Sequence, residues 1–163
     1  MLHIREYQSR DRVAVLELLK SLHGEYKRTV LPPDLFDLTK DRDLEAAFGE
    51  YFSDVESHQG RDFMTLVAED TDGRVVGFII GGVEHDRWDE WTPTGVIEDW
   101  FVVDERRREG TGSGLYGRLE EWFRSQGCRR VKSDTWWSNQ LSRQAHSKLG
   151  FQEYQVSFIK RLD

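Results

Sequence analysis

One stretch constrains the chain more than any other. Val96-Ile97-Glu98-Asp99-Trp100-Phe101-Val102-Val103 runs directly into Asp104-Glu105-Arg106-Arg107-Arg108-Glu109-Gly110-Thr111-Gly112-Ser113-Gly114. The first part is a short run rich in β-branched and aromatic residues, which reads as a strand. The glycines open a segment, Gly112 to Gln126, in which Leu115, Leu119, Trp122 and Phe123 share one helical face. A strand that feeds a helix through a glycine turn commits the chain to a sheet with helices laid on it.

Two nucleotide-binding readings fit the turn. From Gly112 it is Gly-Ser-Gly-Leu-Tyr-Gly, the G-x-G-x-x-G of dinucleotide folds, with Asp134 roughly where a ribose-binding acid belongs. Only 46 residues follow Gly117, however, which is few for the further βα units of such a fold. Eight residues, Asp104 to Thr111, also stand where a tight turn is required. A P-loop is excluded because no Gly-Lys-Ser/Thr is present. From Arg107 the stretch is Arg-Arg-Glu-Gly-Thr-Gly, and the N–H groups of Arg108 to Ser113 converge at a helix N-terminus. Unpaired amides and the helix dipole favour a diphosphate there. Gly110 and Gly112 would clear its approach, and the arginines add charge. The plain alternative is a solvated basic run before an ordinary helix. Glu109 is out of character in a phosphate loop: either its side chain points outward or the affinity for the phosphate ligand is modest.

The rest of the chain supplies the layers. Leu2 to Tyr7 alternates like an edge strand, and a helix follows on which Val15, Leu18, Leu19 and Leu22 align. Gly24 to Lys40, with Pro32-Pro33, reads as a loop. Asp43 to Val55 reads as a second helix, and Phe63 to Glu84 as a hairpin about Thr71-Asp72-Gly73. Arg129 to Thr135 reads as a strand, Gln140 to Leu149 as a helix, and Phe151 to Lys160 as further strand. The expectation is one α/β (α+β) domain over residues 1–163, with a largely central sheet. Cys128 is the only cysteine, which excludes internal disulfides and a cysteine-rich metal site. Met1 to Glu6 is no signal peptide and no apolar run is long enough for a membrane span, so a cytoplasmic location is expected. A net charge of −7 argues against nucleic acid and suits a cationic partner.

Two segments together resemble the GCN5-related N-acetyltransferases. Ile97 to Leu115 is similar to that family's strand and loop for acetyl-CoA. Asn139-Gln140-Leu141-Ser142-Arg143-Gln144-Ala145-His146-Ser147-Lys148-Leu149-Gly150-Phe151 is similar to its second signature. The resemblance implies a mixed sheet of six to seven strands with four helices. Splayed strands would form the acetyl-CoA cleft, and no metal would take part. It further implies coenzyme contacts from Trp100, Phe101 and Val102, from Arg107, Arg108, Glu109, Gly110, Thr111, Gly112 and Ser113, and from Asn139 and Ser142. Asn139 is equally a helix cap, and the two roles are compatible.

The implied activity is acetyl transfer from acetyl-CoA to a primary amine in a ternary complex. Glu98 matches a glutamate that handles the amine proton in relatives, and it serves equally well as a binder of a cationic acceptor. Strand alternation puts Asp99 on the opposite face, so only one of the two should face the cleft. His146 stands where the family usually has a tyrosine that protonates the departing thiolate. It is either the acid or a packing residue. Certain aminoglycoside 6′-acetyltransferases resemble this second segment, and the Glu98-Asp99 pair resembles diamine acetyltransferases. Glu84, Trp88, Trp91 and Asp99 are candidates for holding a small cationic amine, and Glu84 to Trp91 equally suits an ordinary loop or a homodimer contact. A non-catalytic acyl-CoA-binding module is the rival reading.

Overall fold

The computed structural model describes residues 2–29, 35, 43–85 and 92–162. Five strands make one mixed sheet in the order β1 (His3–Glu6), β2 (Phe63–Glu69), β3 (Val75–Glu84), β4 (Thr94–Val102) and β5 (Arg130–Ser133). Neighbours are antiparallel except β4 and β5, which are parallel and joined by a crossover helix. The helices are α1 (Arg12–Thr29), α2 (Leu44–Ser57), α3 (Thr111–Ser125) and α4 (Gln140–Lys148). α1 continues through Gly24, where a loop was expected, because one glycine costs a helix only about 1 kcal/mol.

Local chemistry explains the element ends. Asp43 caps α2 by accepting from the Glu45 and Ala46 amides, both at 3.1 Å. In the β2–β3 turn, Asp70 Oδ1 accepts from the amides of Asp72 and Arg74, both at 3.0 Å. β3 carries no polar side chain until Glu84, as a central strand covered on both faces must. On one face Leu66, Ile79, Ile97 and Val102 pack under Leu115, Leu119 and Phe123 of α3. On the other, Val67, Phe78, Ile80 and Phe101 meet Val15 and Leu19 of α1 and Phe52 and Val55 of α2. Each large apolar side chain buried this way contributes roughly 1.5–3 kcal/mol. Gly95 lets α3 sit close, since a Cβ there would stand 2.6 Å from the Phe123 ring.

An ion network ties the N-terminus down. Arg5 donates to Asp11 at 2.7 and 2.9 Å and to Glu69, joining β1, a short 3₁₀ turn and β2. That hydrogen bonding holds the Asp11 carboxyl below the ordinary carboxylate range despite its burial.

Residues 151–162 form no strand. Their alternation is right for one, but a strand exists only in a ladder, and they pair with no described strand. Tyr154, Val156, Phe158, Ile159 and Leu162 are left 71–94% exposed. Among the described residues the sheet therefore has five strands where six to seven were expected, while the mixed topology and four helices are as expected.

Candidate active site

β4 and β5 run together from Thr94↔Arg130 only as far as Ile97↔Ser133. β3 accompanies the opposite edge of β4 to Gly77↔Val102. Residues 98–102 thus present a free backbone edge at a wedge between parting strands, with no described strand on that side. A bulge sits at the mouth of the wedge. Ile80 pairs with Asp99 and Gly81 with Ile97, so Glu98 is an extra residue in β4. The bulge shifts the alternation by one. Ile97, Trp100 and Val102 pack toward α3, while Phe101 and Asp99 turn toward α1 and α2. Glu98 lies over Gly82 on the Phe63 side, which belongs to that same second face. Both carboxylates therefore share a face, contrary to the simple alternation expected from sequence.

Their surroundings make the two acids unlike. Glu98 reaches solvent, yet partial burial raises its pKa above 4.5, and the charges of Asp99 and Glu84 add to the effect. Lys132 opposes the shift and Asp134 reinforces it. Asp99 accepts a 2.7 Å hydrogen bond from the Tyr51 hydroxyl of α2, and His23 Nε2 of α1 stands 3.7 Å from its other oxygen. Burial, then the charge of Asp99, pushes the Tyr51 phenol well above its ordinary pKa. Glu84 is ion-paired to Lys132 at 2.6 Å, so its charge is already matched. Trp88 and Trp91 lie outside the described residues.

At the other end of the free edge, α3 begins at Gly110 with φ +85°, and no side chain caps it. Nothing lies within 4 Å of where a Gly110 Cβ would point, so the first amides of α3 face an open approach. Gly112 is fixed by packing instead, since a Cβ there would stand 3.1 Å from the Trp100 indole. Thr111 is buried and donates inward to the Arg106 carbonyl at 3.2 Å. Arg107 also serves the loop itself. Its Nε donates to the Val102 carbonyl at 2.8 Å and its guanidinium lies 5.3 Å from the Phe101 ring centre. Glu109 turns outward toward Arg106 at 3.7 Å, which removes its charge from the amides. Arg108 and Ser113 are exposed beside the same amides.

α4 closes the wedge from the β5 side. Asn139 caps it, its Oδ1 accepting from the Ser142 amide at 3.1 Å. His146 Nδ1 is 2.8 Å from the Ser142 carbonyl, an acceptor only, so this nitrogen carries hydrogen. His146 Nε2 lies 2.8 Å from Ser133 Oγ and, in the neutral ring, accepts its proton. Trp100 and Phe151 pack edge-on against the imidazole.

The acetyltransferase (GNAT) family model matches residues 19–151, most of the chain. This chain belongs to the GNAT acetyltransferase family. It is 32% identical over 97 residues to an aminoglycoside N(6′)-acetyltransferase type 1 of Stenotrophomonas maltophilia, covering 58% of this chain and 61% of that one. The match thus spans about three fifths of that curated relative. Among solved structures, the aminoglycoside 6′-N-acetyltransferase of Acinetobacter baumannii superposes with a TM-score of 0.74 at 20% identity, covering 100% and 99% of the two chains. An aminoglycoside N-acetyltransferase in complex with coenzyme A gives 0.72 at 24%, covering 99% and 95%. These likenesses establish the GNAT fold.

For this GNAT chain the structure brings Glu98, Asp99, Trp100 and His146 to one wedge and the loop to its far end. Sequence reasoning missed Tyr51, His23 and Ser133. The first two lie on elements with no motif, and Ser133 matters only because β5 ends there. Cys128 is buried, and burial raises its thiol pKa. Among the described residues no group of three or more His, Cys, Asp or Glu is placed to hold a metal ion, and no helix is long and apolar enough to cross a membrane.

Proposed function

We propose that the chain transfers the acetyl group of acetyl-CoA to a primary amine of a small cationic acceptor, directly, within a ternary complex. The observation that carries this reading is the wedge itself. One free strand edge links an uncapped helix N-terminus to a carboxylate of raised pKa. The residues present fit a diphosphate, because the open approach at Gly110 leads to unpaired amides. Arg108, Glu109, Gly110, Thr111, Gly112 and Ser113 would supply that cradle through their backbone, with Arg107 holding it to β4. Trp100, Phe101 and Val102 would hold the arm of the coenzyme along the free edge, and Asn139 and Ser142 would support it from α4. Bound there, acetyl-CoA supplies an activated acetyl thioester.

Glu98 takes the amine proton, and its raised pKa makes it a better base near neutral pH than an ordinary carboxylate. His146 acts through Ser133. With Nδ1 committed to the Ser142 carbonyl, Nε2 holds or returns a proton at the Ser133 hydroxyl, which lies where the strands part. Coenzyme A in a structural relative and aminoglycoside acetylation in the curated ones support the reading. A thiol-release assay over polyamines, aminoglycosides and simple primary amines tests it. Turnover with a subset of cationic amines is expected. No coenzyme A binding at millimolar concentration would end the proposal, and binding without turnover of any amine would make the chain a sensing module.

The acid-rich face suits a cationic acceptor that Glu84 and Asp99 help to hold, with Trp88 and Trp91 as further candidates. The extended apolar segment at residues 151–162 supports a homodimer. A reaction that consumes acetyl-CoA supports a cytoplasmic location.

A further inference from the structure

Glu84 and Lys132 form an ion pair across β4, beside the proposed base. The register sets Gly82 of β3 and Lys132 of β5 on either side of Val96. Paired residues project to one face, and a Gly82 Cβ would stand 3.5 Å from Glu98 Oε1. Lys132 and Glu98 therefore share a face, whereas Ser133, next along β5, turns to His146 on the other. Glu84 lies two residues beyond Gly82 and so projects to the face of Glu98 as well. The Lys132 ammonium crosses β4 to reach Glu84 Oε2 at 2.6 Å. The two side chains are 38% and 54% exposed, and so solvated a pair adds little to stability. Its place matters more than its strength.

Charges face Glu98 from several elements. Asp99 of β4 is held by Tyr51 of α2, with His23 of α1 3.7 Å from its other oxygen. Glu84 stands on β3, Lys132 on β5 and Asp134 just past β5, while Arg130 is turned to Thr94 Oγ1 at 2.8 Å. Burial, then Asp99 and Glu84, hold the Glu98 proton on, and Lys132 is the cation that opposes them. We propose that Lys132, held by Glu84, is a positioning residue for the base: the ion pair fixes a positive and a negative charge beside Glu98 and so sets the lowest pH at which Glu98 can accept a proton. The proposal rests on the reading of Glu98 as the base. Neither charge needs to touch the reacting atoms.

The two partners of one bridge then have opposite effects. Lys132→Met leaves Glu84 unmatched and should move the acid limb of the kcat/KM profile to higher pH. Glu84→Gln leaves the ammonium unmatched and should move the limb to lower pH. On the native limb, the first variant should keep several-fold less of its plateau activity and the second several-fold more, the scale of one charge a few ångströms away in a solvated site. Lys132→Arg should restore the native profile, and thermal melts of all three should match the native chain. The same displacements are read without turnover by carbon NMR titration of the Glu98 carboxyl, assigned with Glu98→Gln. Loss of a merely structural bridge would move both limbs the same way or neither, and either result would overturn the proposal. So would a rise in amine KM as the sole effect of Glu84→Gln. If the NMR midpoints move apart but no amine is turned over, the transfer reading fails and the action of the pair on Glu98 stands. If amines are acetylated with one unmoved profile in all variants, transfer stands and the proposal fails.

Discussion

At Glu98 the requirements of stability and chemistry conflict. Burial and neighbouring acids raise its folded pKa above 4.5, so between that value and the raised one the native chain binds more protons than the unfolded chain. Stability therefore falls as pH climbs through this interval. Glu98→Gln should raise Tm at pH 8 and leave it nearly unchanged at pH 4, followed by thermal melts of the two proteins. The same substitution should lower kcat by about 10²- to 10⁴-fold, the usual worth of a positioned base, while coenzyme A affinity holds. The His146–Ser133 hydrogen bond makes a separate prediction. His146→Phe and Ser133→Ala should each lower kcat, and the double variant should lose little more than the worse single one. Additive losses would mean that the two residues act apart. Of these side chains, Glu98 and His146 were legible because each sits at a fixed offset from a motif. Ser133 and Tyr51 were not, since their importance arises from strand ends and helix packing that no local spacing encodes.

At the scale of elements, β4 carries most of the meaning. Its run of β-branched and aromatic residues announced a strand, and the glycines after it announced a helix start. The bulge was invisible, because it is a property of register against β3 and not of β4 alone. It explains why alternation failed at Asp99 and held before Glu98. Gly95 tests how closely α3 must approach. Gly95→Ala should cost about 1–3 kcal/mol in urea unfolding, since Phe123 is 1% exposed and has nowhere to move. The loop showed a subtler misreading. Gly110 and Gly112 looked alike in sequence, but one opens an approach to backbone amides and the other accommodates an indole.

For the molecule as a whole, layer order and fold were readable from periodicity, whereas the last strand was not. Residues 151–162 have the correct alternation but pair with no described strand. Aromatic side chains bury roughly 150–250 Å² each, so two such segments exchanged between copies would approach the roughly 1,600 Å² of a standard interface. Phe158 is 94% exposed and contributes nothing to the core. Phe158→Glu should thus shift the chain from dimer to monomer in light scattering without lowering the stability of the five-stranded sheet. A native chain that is monomeric would refute the homodimer. The attachment of the loop has a different kind of consequence. Arg107 fastens it to the Val102 carbonyl and to the Phe101 ring, while the face proposed for the acceptor is furnished by α1 and α2. The two halves of the cleft are held by different parts of the chain. If the proposed transfer is right, grafting α1 and α2 from another member of the fold should therefore re-target it while the proposed grip on the common donor is inherited unaltered.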